Sequence, residues 1–228
     1  IRNNRFRCDR GWDIDLDDGS SNFHIYNNLC LNGGIKLREG FYRVVENNIM
    51  VNNSLHPHAW FSQSGDVFTR NIVMREYFPY QVEQWGRMVD YNIFADEHSL
   101  AKVREQGTDV HSIVVPLEFV NPSEGNYTLS DDSEAILKGS FQNFDMGHFG
   151  VVSAHLKAIA RTPRMSVPVS LMENKESRQI NWLGLSIKNL ETLGERSATG
   201  MDAERGVYVV TADANGQLRD FIQANDVI

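Results

Sequence analysis

Asp15 and Asp17, Lys36 and Arg38, and His56 and His58 form three pairs, each with i, i+2 spacing and each about twenty residues after the last. Side chains at i and i+2 share one face of a β-strand. If the three segments lie side by side, with rows about 4.8 Å apart, two carboxylates, two cations and two imidazoles share one patch. Imidazole changes charge near neutral pH, so such a patch suits proton transfer and hydrogen bonding to sugars. Two other readings stay open. One is a salt-bridge ladder that solubilises a sheet face. The other is a metal site with His56, His58 and Asp15 as ligands, against which Lys36 and Arg38 weigh because cations repel a bound divalent ion. The expectation is therefore no metal and no cofactor. Trp12, Trp60 and Trp85 sit near strand ends, where an indole can stack on a sugar ring or pack in a core.

The elements that must position this patch are legible in a repeat. Apolar phrases recur around Asn: Ile25 to Leu31, Val45 to Val51, Phe68 to Met74 and Asp90 to Phe94, with Asn4 preceding them. Asn4, Asn28, Asn48, Asn71 and Asn92 are separated by 24, 20, 23 and 21 residues. A period in the low twenties with short β-rich phrases predicts a parallel β-solenoid, whose coils bury apolar faces by stacking on one another. Leucine-rich repeats would need a denser Leu pattern and a helical half-repeat, and neither is present. Asn fits a coil corner because it tolerates left-handed backbone and its amide can bond the equivalent amide one coil away. The same register aligns strands at 12–19, 34–40, 54–59 and 77–81. Alternation then points Ile14, Leu16, Ile35, Leu37, Leu55, Pro57 and Phe78 inward.

Composition excludes several classes. The chain is 41% hydrophobic and 23% charged, enough to fold as one large domain or two ordinary ones. A net charge of −8 with scattered Lys and Arg lacks the footprint that nucleic acid requires. No run of eighteen apolar residues occurs, so no membrane span is expected and the chain reads as soluble. Cys8 and Cys30 are too few for a disulfide scaffold and are read as free thiols. The chain opens at Ile1 rather than Met, and its C-terminal phrases stop midway through a pattern, which reads as an internal fragment.

At GWDIDLDDGSSNFHIYNNLCLNGGIKLREGF (11–41), DYNIFADEHSLAKVREQGTDVHS (90–112) and PLEFVNPSEGNYTLSDDSEA (116–135) the sequence resembles right-handed parallel β-helix carbohydrate-active enzymes of the pectate-lyase-like superfamily. The nearer resemblance is to bacterial glycoside hydrolases of family 141, in which a PDZ-like domain often follows the β-helix. The departures are Val115, where such tails commonly have Asp, and Glu134, where Pro is usual. Ser99 is expected to cap a short helix and Gly107 to end it. The resemblance implies an all-β fold: the C-terminal coils of a right-handed parallel β-helix over 1–152, a linker over 153–180 and a truncated α+β PDZ-like module over 181–228. In that module Leu183, Gly184 and Leu185 would meet a peptide carboxylate by strand addition. The resemblance also implies a secreted or periplasmic bacterial enzyme, expected as a monomer, that hydrolyses a fucoside-type or xylan-type polysaccharide.

Glycoside hydrolysis needs one carboxylic acid and one carboxylate base or nucleophile. Asp15 and Asp17 are the expected pair. Alternate residues along a strand lie about 6.8 Å apart, nearer the inverting separation than the retaining one. Lys36 and Arg38 would hold both ionised, so the acid would be Asp18, Glu39 or a carboxylate upstream. Lys36, Arg38, His56, His58 and Trp60 are the expected substrate-binding residues. Two alternatives remain: a polysaccharide lyase on the same fold with Lys36 or Arg38 as base, and a non-catalytic cell-surface solenoid.

Overall fold

The computed structural model describes residues 1–160, 178–191, 195–196, 199–203, 205–213, 216–218 and 221–228. Three parallel sheets wind through the N-terminal half. The first sheet holds β2 (Ile14–Leu16), β5 (Ile35–Leu37) and β8 (Leu55–Pro57). The second holds β3 (His24–Tyr26), β6 (Val44–Glu46), β9 (Val67–Thr69) and β11 (Met88–Asp90). The third holds β1 (Arg5–Phe6), β4 (Leu29–Cys30), β7 (Ile49–Met50), β10 (Ile72–Val73), β12 (Ile93–Phe94) and β13 (Ile113–Val114). The chain visits the sheets in that order once per coil, so each strand pairs with its equivalent about one repeat away. This is the parallel β-solenoid that the Asn period predicts.

The corner between the second and third sheets explains the paired Asn residues. The first position of each pair takes left-handed backbone: φ is 54° at Asn3, 55° at Asn27 and 54° at Asn47, with Arg70 and Tyr91 doing the same in later coils. The second position builds the ladder. The Nδ2 of Asn4, Asn28, Asn48 and Asn71 donates to the Oδ1 of the next rung at 3.2, 2.9, 3.0 and 3.2 Å. Each rung's backbone N–H bonds the same oxygen. The sequence reading gave both tasks to one residue, whereas the structure divides them between neighbours. Asn92, the last rung, donates to Asp109 Oδ1 at 2.9 Å, so an acceptor-only carboxylate ends the row.

Inside the coils, Ile14, Leu16, Ile25, Ile35, Leu37, Val45, Met50, Leu55, Phe68, Val73 and Phe94 form one continuous core. Helix α1 (Glu97–Glu105) closes its C-terminal end by packing Leu100 and Val103 against it. The cap of α1 differs from expectation. Asp96 is the N-cap, accepting from Ser99 N at 2.8 Å, and Ser99 lies inside the first turn. Gly107 stands just past the end with φ 90°, as expected. Residues 115–149 do not add coils. They cross the outer face of the third sheet as an irregular strap containing α2 (Glu134–Leu137), and Tyr127, Leu129, Phe141 and Phe144 cover Leu29, Ile49, Ile72 and Ile93. Short strands alternate inward and outward residues, so the outward residues of this sheet need a second apolar layer.

Of the expected linker, 154–159 forms α3 (Ala154–Ile159), and 161–177 lie outside the described residues. Beyond them, β14 (Ile180–Trp182), β15 (Leu185–Asn189) and β16 (Val207–Ala212) make a three-stranded antiparallel sheet. Leu183 and Gly184, at φ 49° and 85°, form the two-residue turn between β14 and β15. Positive φ at both positions is the hairpin turn that matches strand twist.

Candidate functional site

The first sheet brings the charged pairs together in the predicted register. Asp15 pairs with Lys36 and Lys36 with His56 along β2, β5 and β8. The next column continues through Arg38 N to Leu16 O at 2.9 Å and His58 N to Leu37 O at 2.9 Å, and Tyr80 bridges His58 from the fourth coil. Phe78 belongs to this outer face and is a correction to the expected inward set. Its N–H bonds Leu55 O, which places it opposite His56, and its ring stacks on that imidazole at 5.0 Å. Tyr77, one residue earlier, takes the inward place.

The patch is less open than a solvated sheet face. Lys36 is only 5% exposed and His56 fully buried, because Trp12 folds across them. The Lys36 ammonium lies 4.3 Å from the Trp12 ring centroid, a cation–π contact. His58 meets the same indole edge-on at 5.6 Å, and His56 lies 6.1 Å away. Two features place Trp12. Asp13 accepts from the N–H groups of Cys8, Asn32, Gly33 and Gly34 at 2.6–3.2 Å, clamping the segment onto the next coil. A Cβ on Gly33 would stand 2.3 Å from Asp13 N, so the crossing requires glycine. Burial pushes the Asp13 carboxyl up to about 6 against the pull of those four N–H groups.

Charge in the patch is densely paired. Lys36 contacts Asp15 at 3.2 Å and Asp17 at 3.1 Å. Arg38 contacts Asp17 at 3.2 Å, Asp18 at 3.5 Å and Glu39 at 2.6 Å. Burial tends to raise the Asp17 carboxyl, but its hydrogen bond with Lys36 and the ammonium charge bring it below the usual carboxylate range. Both imidazoles are held neutral. Burial first, then His58 and Lys36, drives His56 well below its ordinary value. Burial with the Lys36 and Arg38 charges takes His58 down to about 4. His56 Nε2 bonds Asn53 Oδ1 at 2.6 Å, and that oxygen also accepts from Ser54 N. The imidazole therefore carries its proton on Nε2 and presents a lone pair at Nδ1.

No protein-family model, curated protein or solved structure matches the chain. What the geometry demonstrates is the parallel β-solenoid, an architecture shared with carbohydrate-active proteins. Among the described residues, no group of three or more His, Cys, Asp or Glu is placed to hold a metal ion, and no helix is long and apolar enough to cross a membrane. Cys8 and Cys30 are free thiols.

Of the expected site residues, Asp15, Asp17, Asp18, Lys36, Arg38, Glu39, His56 and His58 converge on one surface. Trp60 does not: it is fully buried, donates its indole N–H to Leu37 O at 2.7 Å and packs edge-on against Trp85. It packs in the core, the other place open to an indole near a strand end. Leu183, Gly184 and Leu185 belong to the separate hairpin sheet, with Leu185 buried beneath the turn. Asp15 and Asp17 both reach the single Lys36 ammonium, as the expected register requires. The sequence reading also missed Asp13, Asn53 and Arg43. Arg43 is fully buried, pairs with Asp66 and donates to the Arg38 carbonyl, which fixes the chain just beyond the patch. Asp13 and Arg43 act across a whole repeat or through backbone atoms, and Asn53 reaches His56 from three residues away by a side-chain bond that only the geometry reveals.

Proposed function

We propose that the chain is part of a carbohydrate-active β-solenoid that holds a polysaccharide across the outer face of the first sheet and hydrolyses its glycosidic bonds. The observation that supports this best is the Lys36-centred patch, in which ionised carboxylates, neutral imidazoles and an indole face share one surface. Sugars offer apolar C–H faces rimmed with hydroxyls, and this mixture of aromatic and hydrogen-bonding groups suits both. Asp15 and Asp17, tied to a cation, fit the role of base or of charge stabiliser for an oxocarbenium-like transition state. Asp18, Glu39 or a carboxylate outside this patch would then supply the proton to the leaving oxygen. A secreted or periplasmic bacterial setting follows from this reading.

Elimination is the second reading. His58, neutral and beside Lys36 and Arg38, favours it because a neutral base next to cations suits proton abstraction from a uronate. Lys36 and Arg38, the bases first considered, are instead engaged by carboxylates. One experiment separates the readings. The purified chain is incubated with xylan, a fucosylated polysaccharide and polygalacturonate, while new reducing ends and the ultraviolet absorbance of unsaturated sugars are followed. Reducing ends without absorbance support hydrolysis, both signals together support elimination, and neither signal on any polymer refutes enzymatic action by this face.

A further inference from the structure

Three buried ring nitrogens in the patch have no hydrogen-bond partner among the described residues: Trp12 Nε1, His56 Nδ1 and His58 Nε2. They belong to rings whose centroids lie within 5.6–6.2 Å of one another. A buried polar atom without a partner costs free energy, and three of them meet here in one cluster of rings, which calls for an explanation. The two whose character is fixed are complementary. Trp12 Nε1 is a donor only, and His56 Nδ1, given the Nε2–H bond to Asn53, is an acceptor only.

We propose that Trp12, His56 and His58 form a subsite that grips a single hydroxyl group of a glycan, with the Trp12 ring as its movable wall. A hydroxyl satisfies both fixed atoms at once, accepting from the Trp12 indole N–H and donating to His56 Nδ1. A carboxylate cannot, because it would face the His56 lone pair with lone pairs of its own. An ammonium cannot, because the Lys36 charge lies against the same indole. The wall is able to move. Trp12 is partly exposed, so its indole can swing about its side-chain torsions while the Asp13 clamp holds the backbone beside it. His56, by contrast, is held from below by Asn53 and from the side by Phe78. The indole therefore moves while the imidazole stays.

This inference rests on the glycan reading of the patch, and the test separates the two. A neutral xylan hexasaccharide is titrated into the whole chain while the indole N–H resonances, the imidazole 15N resonances and the backbone amides of β2, β5 and β8 are followed by NMR, with Trp12→Phe assigning the Trp12 signal. The subsite predicts that the Trp12 indole proton and His56 Nδ1 shift together. It also predicts that Trp12→Phe, which keeps a ring but removes the N–H, weakens binding roughly three- to tenfold. Amide shifts on the first sheet with Trp12 and His56 unmoved, or unchanged affinity in Trp12→Phe, would overturn the subsite and leave the glycan-binding face standing. No shift anywhere on the sheet would overturn both.

Discussion

Replacing Asn48 with Ala removes the middle rung of the Asn ladder, and the consequences can be worked out atom by atom. The Asn48 side chain donates to Ile25 O, Glu46 O and Asn71 Oδ1, each at 3.0 Å. Its Oδ1 accepts from Asn28 N at 3.0 Å and Asn28 Nδ2 at 2.9 Å. The Asn28 amide of the chain then sits fully buried without its acceptor, a loss of roughly 1–3 kcal/mol. The surrendered side-chain bonds add about 1 kcal/mol apiece, partly offset where Asn28 Nδ2 keeps Tyr26 O. The expected destabilisation is about 3–5 kcal/mol. Asn4→Ala is the internal control, because that rung is only half-buried and its Oδ1 accepts no side-chain rung among the described residues, so its cost in this chain should stay near about 1 kcal/mol. Urea denaturation followed by circular dichroism gives the difference. Amide hydrogen exchange at Asn28 shows whether the loss is local, which matters because stacked repeats can open one coil at a time. If Asn48→Ala shifts the midpoint no more than Asn4→Ala, the ladder is a by-product of backbone pairing and the argument fails.

Asp17→Asn should cost no more than about 1 kcal/mol, since its carboxylate is well exposed, yet abolish turnover. Asp15→Asn with Asp17→Asn leaves the buried Lys36 ammonium without a carboxylate and should cost about 3 kcal/mol or more by thermal melting. His58 is depressed to about 4 in the folded chain against an ordinary 6.5, so its contribution is complete above pH 6.5 and lost as pH falls through 4. His58→Gln should therefore flatten the acid side of a urea-midpoint profile by at most about 3 kcal/mol, and parallel profiles would rule the effect out. Asp13 works in the opposite sense over nearly the same range. Raised to about 6, its contribution is complete below pH 4 and lost as pH rises to 6, which is why the comparison must be variant against wild type. Arg43→Met strands Asp66 in the core and should cost about 3–5 kcal/mol, whereas adding Asp66→Leu should recover most of that loss in the same melt.

The solenoid was legible because its signal is periodic. A residue that must stack on its equivalent in every coil recurs in the sequence, and the Asn interval located the coils closely enough to align Asp15, Lys36 and His56 before any coordinates. Alternation failed at Phe78, where the fourth strand is reduced to an isolated bridge at Tyr80 and a one-residue slip exchanges inside for outside. Ser99 and Asp96 are both good capping residues, and sequence alone cannot say which has left the helix. Burial was the larger omission. An outward column looks exposed when strands are considered alone, but Trp12 arrives from a neighbouring segment and Phe78 from another coil, and neither contact has a period to betray it.

The three faces of the solenoid differ in what they leave for a ligand. The third sheet is roofed by the strap at 115–149, so its outward Leu29, Ile49 and Ile72 are core. The second sheet carries paired surface groups such as His24 with Glu46 at 2.7 Å and His111 with Asp90 at 2.6 Å. Those bonds are complete, and their imidazoles are exposed, His24 by 52% and His111 by 61%. The first sheet alone combines buried charge, neutral imidazoles and unpartnered polar atoms under a single part-exposed indole. Structural packing explains the Lys36 ion pairs but not why Trp12 and two His rings should be buried with polar atoms unmatched. Unmatched groups of complementary type are what a ligand completes on binding, and that asymmetry among otherwise similar faces is the physical reason to place function there.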